Sequence, residues 1–177
     1  MLSLTACNEQ AKYARYIQNP QLLTQTLNEC QLGKLTGRTC ARAQLTKQVI
    51  SDFMSQAAGL ALAEERLMSL QQQLQGSPGN SSLQSEETIQ ETLVNQQFME
   101  LQENFAKQIM NEETKLSQLQ MMQNQLKRAL KKVETNDYEA KAALLKSLAI
   151  NEELFSLTRE KLKIMLLFVG LSNKVEG

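Results

Sequence analysis

Residues 98–133 read FMELQENFAKQIMNEETKLSQLQMMQNQLKRALKKV, and this stretch decides the fold class. Its apolar side chains recur at intervals of three, four or seven residues, which is the spacing of one face of an α-helix. They are Phe98, Leu101, Phe105, Ile109, Leu116, Leu119, Leu126, Leu130 and Val133. A narrow stripe of this length is typical of helix-on-helix packing or a coiled coil. We therefore expect one helix from about residue 86 to about residue 134.

Helix breakers and further apolar stripes lie on both sides of this segment. Residues 76–82, GSPGNSS, form a cluster of breakers, and Ser85 after them has the character of an N-cap followed by acidic residues. Upstream, the apolar spacing predicts a helix from about 40 to 75. Downstream, residues 135–137 offer a turn, and a last helix is expected from about 138 to 170. Its seven-residue repeat consists of Leu148, Phe155, Leu162 and Val169.

These patterns predict an all-α fold, in which a disulfide-stapled N-terminal helical knot precedes long amphipathic helices forming a hairpin or coiled-coil bundle. The chain has only seven glycines and two prolines, and it lacks alternating runs of Val, Ile and Thr. Along the chain we expect a residual signal-peptide end at 1–6, a lipid-anchor and disulfide-knot region at 7–44, a helix at 45–75, a linker at 76–85 and a long helical hairpin at 86–177.

Three cysteines lie in the first forty residues. The segment Leu4-Thr5-Ala6-Cys7 has the pattern of a bacterial lipobox, in which the cysteine thiol takes the lipid. Cys30 and Cys40 flank a short Gly-containing loop and predict a disulfide, which would account for all three thiols of an exported protein. A ring of this length stabilises by roughly 3 kcal/mol in the chain-entropy estimate.

The alternative for these cysteines is three free thiols in a cytosolic protein. A secretory signal has a basic start and an apolar core of about 7–15 residues before its cleavage site. Only six residues precede Cys7, and none of them is basic. Either the chain begins inside the signal, or Cys7 is an ordinary residue.

The residue types present exclude several classes of enzyme. The chain has no histidine, which excludes Ser-His-Asp and Cys-His catalysis and histidine-ligated metal sites. Neither of the glycine-rich phosphate-binding motifs occurs. Acidic pairs are adjacent in sequence, so their members do not face each other on a helix and are expected on solvated surface. These pairs are Glu64-Glu65, Glu86-Glu87, Glu112-Glu113 and Glu152-Glu153. We expect no catalytic residues, no metal and no cofactor.

Charge is balanced over the whole chain but not along it. There are 19 basic and 19 acidic residues, which argues against nucleic acid as a partner. Residues 1–50 carry six basic and two acidic side chains, whereas residues 51–100 carry one basic and seven acidic. The basic end would suit an anionic membrane surface, and a solvated basic face is the alternative. The densest basic run is expected to pair with Glu152-Glu153 if the last two helices form a hairpin. That run consists of Lys127, Arg128, Lys131 and Lys132.

The order of residues in segment 4–50 resembles a known family. A lipobox cysteine is followed by a Tyr-containing stretch ending in Asn-Pro, a helix ending in Cys, a short polar loop and a second Cys before an alanine-containing helix. The matching residues are Cys7, Tyr16, Asn19, Pro20, Leu27, Cys30, Cys40 and Ala43. In this order the segment resembles the EexN family of small bacterial lipoproteins. Members of that family are associated with exclusion, which blocks redundant conjugative transfer into a cell that already holds the element.

The resemblance implies an envelope protein whose partners are the bacterial membrane, through the lipid on Cys7, and one or more proteins of a type IV secretion system. Asn8, directly after the lipid cysteine, favours the outer membrane and the periplasmic face by analogy with enteric sorting. The alternative function is a structural, pilus-associated helical subunit of the secretion apparatus. The apolar stripes also allow self-association as a coiled coil.

Overall fold

The computed structural model describes residues 13–134 and 137–172, with side chains to residue 170. Within these residues the secondary structure is helical, and no strand occurs, which confirms the predicted all-α class. The helices are residues 13–18 (α1), Pro20–Gln31 (α2), Arg38–Gly76 (α3), Ser81–Lys132 (α4) and Tyr138–Ser172 (α5). Cys7, Asn8 and Asn136 lie outside the described residues.

The start of α2 is set by its capping residue, Asn19, and its first helical residue, Pro20. The Oδ1 atom of Asn19 accepts a hydrogen bond from the backbone N–H of Leu22 at 3.0 Å. Pro20 occupies the first helical position, where its missing N–H costs no helical hydrogen bond. The helix buries Leu23 and Thr26, so its inward face is short.

A tight connection follows α2, and two glycines shape it. Gly33 and Gly37 have φ angles of +70° and +64°, a region that L side chains rarely adopt. Between them, the backbone N–H of Lys34 donates to the carbonyl of Glu29 at 2.9 Å. That bond satisfies a carbonyl at the end of α2 and turns the chain toward α3.

The start of α4 corrects one prediction. Asn80, and not Ser85, is the capping residue, because its Oδ1 atom accepts hydrogen bonds from the N–H groups of Ser82 and Leu83 at 3.1 and 3.2 Å. The break in the helices therefore covers only residues 77–80, and residues 81–85 of the predicted linker are helical. Once Asn80 has begun the helix, Ser85 lies in its second turn, where no N–H group needs a cap.

The last helix begins where the sequence places it. The Oδ1 atom of Asp137 accepts a hydrogen bond from the N–H of Ala140 at 3.1 Å, and α5 starts at Tyr138. The apolar segment near its end is partly packed, since Ile164 is 0% exposed and Met165 is also buried, whereas Leu166 is exposed. Across the described residues, none of the helices combines the length and the apolar character that a membrane span requires.

The chain packs as two compact units. The middle unit is Ile50–Gln108, and the terminal unit comprises the chain through Val49 together with the chain from Ile109 onward. Both boundaries fall inside helices, one in α3 and one in α4. Each unit boundary therefore lies within one of the predicted segments, the helix at 45–75 and the hairpin at 86–177.

In the middle unit, α3 and α4 pack antiparallel along a mixed apolar and polar seam. The rings of Phe53 and Phe105 meet edge to face with centroids 5.1 Å apart. Further along, the Nε2 atom of Gln90 donates to the backbone carbonyl of Ala63 at 2.9 Å. Along α3, Phe53 comes before Ala63, whereas their partners come in the reverse order along α4, Gln90 before Phe105. The two helices therefore run in opposite directions. Gly59 faces Gln97 in the same seam, where a Cβ atom added to the glycine would lie 3.8 Å from the Oε1 atom of Gln97.

In the terminal unit, α4 and α5 form the predicted hairpin. The Nζ atom of Lys161 lies 2.6 Å from the Oε1 atom of Glu112. Toward the turn, Gln123 donates to Glu152 at 3.1 Å, and Lys127 lies 3.8 Å from the same carboxylate. The expected pairing of the basic run with the acidic residues of α5 is thus present at Lys127.

Candidate functional site

The disulfide joins the end of α2 to the beginning of α3. Cys30 is bonded to Cys40, and their Cα atoms are 5.7 Å apart, within the range expected of a disulfide. The predicted pairing is therefore present. Cys40 is the third residue of α3, so the bond fixes the first turn of that helix to α2.

Tyr13, the first residue of α1, connects that helix to α5. The Tyr13 side chain is 1% exposed, and its hydroxyl donates a hydrogen bond to the Oε2 atom of Glu160 at 2.7 Å. Burial raises the pKa of Tyr13 well above its ordinary value of 10, and the neighbouring Glu160 carboxylate raises it further. The ring also lies 6.0 Å from the guanidinium carbon of Arg42, which opposes that shift.

A cavity of about 360 Å³ opens beside this contact, between the first turns of α3 and the later part of α5. Four basic side chains line it, together with one hydroxyl and one carboxylate. These residues are Arg38, Arg42, Arg159, Lys163, Ser156 and Glu160. We call this feature the basic cavity. Apart from Ser156 and Ala41, every lining side chain is charged, so the cavity suits an anion and not an apolar molecule.

The sequence shows the two pairs of basic residues that line the basic cavity, but it does not show that the pairs meet. Arg38 and Arg42 belong to the basic N-terminal end, and they are four residues apart on α3. Arg159 and Lys163 have the same spacing on α5, so each pair shares a helix face. The convergence of the two pairs depends on the packing of α5 against α3. In the sequence, the densest basic run is instead the one at Lys127, which lies elsewhere.

The prediction that all the adjacent acidic residues lie on solvated surface is wrong for Glu112. Glu112 does not lie on solvated surface, because its side chain is only 14% exposed and contacts Lys161. The hairpin brings that lysine over it from α5, which its own helix could not indicate. Among residues 13–134 and 137–170, no group of three or more Cys, Asp or Glu side chains is placed to hold a metal ion.

A second surface lies on the middle unit. There α3 and α4 expose large apolar side chains next to glutamines and acidic residues. The exposed apolar residues are Met54, Leu62, Met68, Ile89, Leu93 and Met99. Flexible methionines of this kind suit adaptable contacts with a partner. Outside the middle unit, Met121 and Met122 of α4 are also exposed.

Comparison with known proteins gives no relative on which to base a function. Neither protein-family models, nor curated proteins, nor solved structures match this chain.

Proposed function

We propose that the chain is a lipid-anchored envelope protein associated with a conjugative type IV secretion system, and that it excludes incoming transfer by binding a transfer component. The single observation that carries this proposal is the Cys30–Cys40 disulfide between α2 and α3. Disulfides persist in oxidising compartments such as the bacterial periplasm and are rare in the cytosol. The bonded cysteines are also two of the residues on which the resemblance to the EexN family rests.

The proposed activity is recognition by a tethered surface. A lipid on Cys7 holds the chain at the membrane, and tethering raises its local concentration there, so that even a weak contact suffices. The exposed apolar and Gln-rich faces of α3 and α4 in the middle unit supply area for the partner contact.

Conjugation assays test the proposal directly. Recipient cells that express the full gene, with a complete lipoprotein signal, should receive a conjugative element from donors less often than matched recipients with an empty vector. Deleting the gene from the donor should leave transfer unchanged. A requirement in the donor, with no effect in the recipient, would instead identify a structural subunit of the secretion apparatus.

The anchor is tested separately by Cys7→Ser in the same gene. The variant should leave the membrane fraction and lose exclusion, because its local concentration at the membrane falls. Full exclusion by a variant that is soluble in the periplasm would show that the anchor has no part in the activity.

A further inference from the structure

The charges of the basic cavity do not cancel among themselves. Arg38, Arg42, Arg159 and Lys163 contribute four positive charges, whereas Glu160 contributes the one carboxylate of the lining. The first turn of α3 adds no acidic side chain. Its helix N-terminus adds a partial positive charge at the same side of the cavity.

We propose that the basic cavity binds the phosphate group of an anionic ligand. Three of the four basic side chains are arginines, whose planar guanidinium groups match phosphate oxygens in bidentate geometry. Lys163 adds a compact charge, and the hydroxyl of Ser156 adds a further donor. The cavity volume of about 360 Å³ exceeds that of a single phosphate and lies in the range of small-molecule sites.

The back wall of the cavity is held in place without a ligand. Arg42 is 9% exposed and lies against the ring of Tyr13, whose hydroxyl is bonded to Glu160. Arg38 and Arg159 are exposed and form the rim. The rim can therefore be changed with little effect on the fold, whereas Arg42 and Tyr13 belong to the packing of the terminal unit.

Two sources supply such a phosphate: a phospholipid headgroup and a soluble phosphorylated compound. Tyr13 follows Cys7 by six positions, and six residue steps of extended chain reach at most about 22 Å. A lipid on Cys7 would thus keep the cavity close to headgroups, which favours the lipid source. That preference rests on the proposed function, whereas binding of phosphate by the cavity does not.

The test uses the full, unlipidated chain and two probes. Inorganic phosphate is titrated by calorimetry, and vesicles of phosphatidylglycerol are compared with vesicles of phosphatidylcholine by flotation. The double variant Arg159→Gln with Lys163→Gln removes two charges from the cavity. The matched control, Lys131→Gln with Lys132→Gln, removes two exposed charges of α4 that do not line it. Circular dichroism verifies that both variants are folded.

We expect the cavity variant to bind phosphate about tenfold or more weakly than the natural chain, and the control to bind it unchanged. Arg38→Gln, on the opposite helix, should weaken binding in the same way. Preferential binding to phosphatidylglycerol that is lost with the cavity variant alone identifies the headgroup as the source. Phosphate binding without that preference supports the cavity and identifies a soluble ligand.

Two outcomes would overturn the inference. One is no binding of phosphate by the natural chain at millimolar concentration. The other is equal loss in the cavity and control variants, which would indicate general charge attraction. Neither depends on conjugation, so the cavity and the exclusion proposal fail or succeed independently.

Discussion

At the scale of single residues, Tyr13 links side chains of two other helices in the terminal unit. Its hydroxyl donates to Glu160, and its ring lies against Arg42. A hydrogen bond to a charged group contributes about 1.5–3 kcal/mol. We therefore expect Tyr13→Phe to lower the free energy of unfolding by about 2 kcal/mol, measured by urea denaturation. Tyr138→Phe is the control, because Tyr138 is 77% exposed, and it should have no measurable effect.

The same residue gives a dependence on pH. Because the folded-state pKa of Tyr13 is raised above 10, folding favours the neutral phenol. Its contribution to stability is complete below pH 10 and is lost as the pH rises toward the folded-state pKa. Denaturation curves from pH 9 to 11.5 should show a steeper loss of stability in the natural chain than in Tyr13→Phe. Equal slopes in the two proteins would contradict the assigned burial of Tyr13.

The disulfide gives a second prediction at this scale. Replacing both Cys30 and Cys40 by serine should lower the free energy of unfolding by about 3 kcal/mol, because the unfolded chain regains the entropy of the closed ring. Reduction of the natural chain should have the same effect. Cys7→Ser is the matched control: because it keeps the Cys30–Cys40 bond, it should be as stable as the natural chain without reductant and should lose as much stability as the natural chain on reduction. A loss of stability in that control without reductant would indicate a role for Cys7 in folding.

At the scale of elements, the start of α4 distinguishes two capping candidates. Asn80→Ala removes the acceptor for two N–H groups and should destabilise the chain by about 1 kcal/mol. Ser85→Ala replaces an exposed residue inside the helix by a better helix former and should be neutral or slightly stabilising. Urea denaturation of the two variants checks this order. The reverse order would mean that the helix begins near residue 86.

At the scale of the whole molecule, the hairpin of α4 and α5 contains a partly buried ion pair. The side chains of Lys161 and Glu112 are 29% and 14% exposed. Lys161→Met would leave the Glu112 carboxylate without its partner in a poorly hydrated position. We expect it to lower the free energy of unfolding by about 2 kcal/mol.

A matched ion pair on the surface serves as the control. Lys107 and Glu103 form an exposed pair four residues apart on α4, and the lysine lowers the pKa of that carboxyl. Exposed pairs of this kind contribute little to stability, so Lys107→Met should leave the urea midpoint unchanged. If the two lysine variants were equally stable, the hairpin contact would have no energetic role.

The sequence by itself determined the features that depend on neighbouring residues. The spacing of Leu101 and Phe105 predicts a helix because residues three and four apart share one face of that structure. The caps at Asn19 and Asp137 follow from side chains that satisfy nearby N–H groups. Cys30 and Cys40 were identified from their short separation. The capping residue of α4 was misassigned because Asn80 and Ser85 are both suitable locally, and Asn80 precedes the other in the chain.

Only the tertiary structure decided which helix faces meet. The basic cavity combines residues of α3 and α5 that are more than a hundred positions apart, and no local pattern links Arg42 to Glu160. The burial of Glu112 likewise depends on a lysine carried by another helix. An amphipathic stripe specifies that a helix packs, but the partner and the register are set by side-chain fit along both surfaces. That fit is a property of pairs of helices, so it becomes visible only when both are in place.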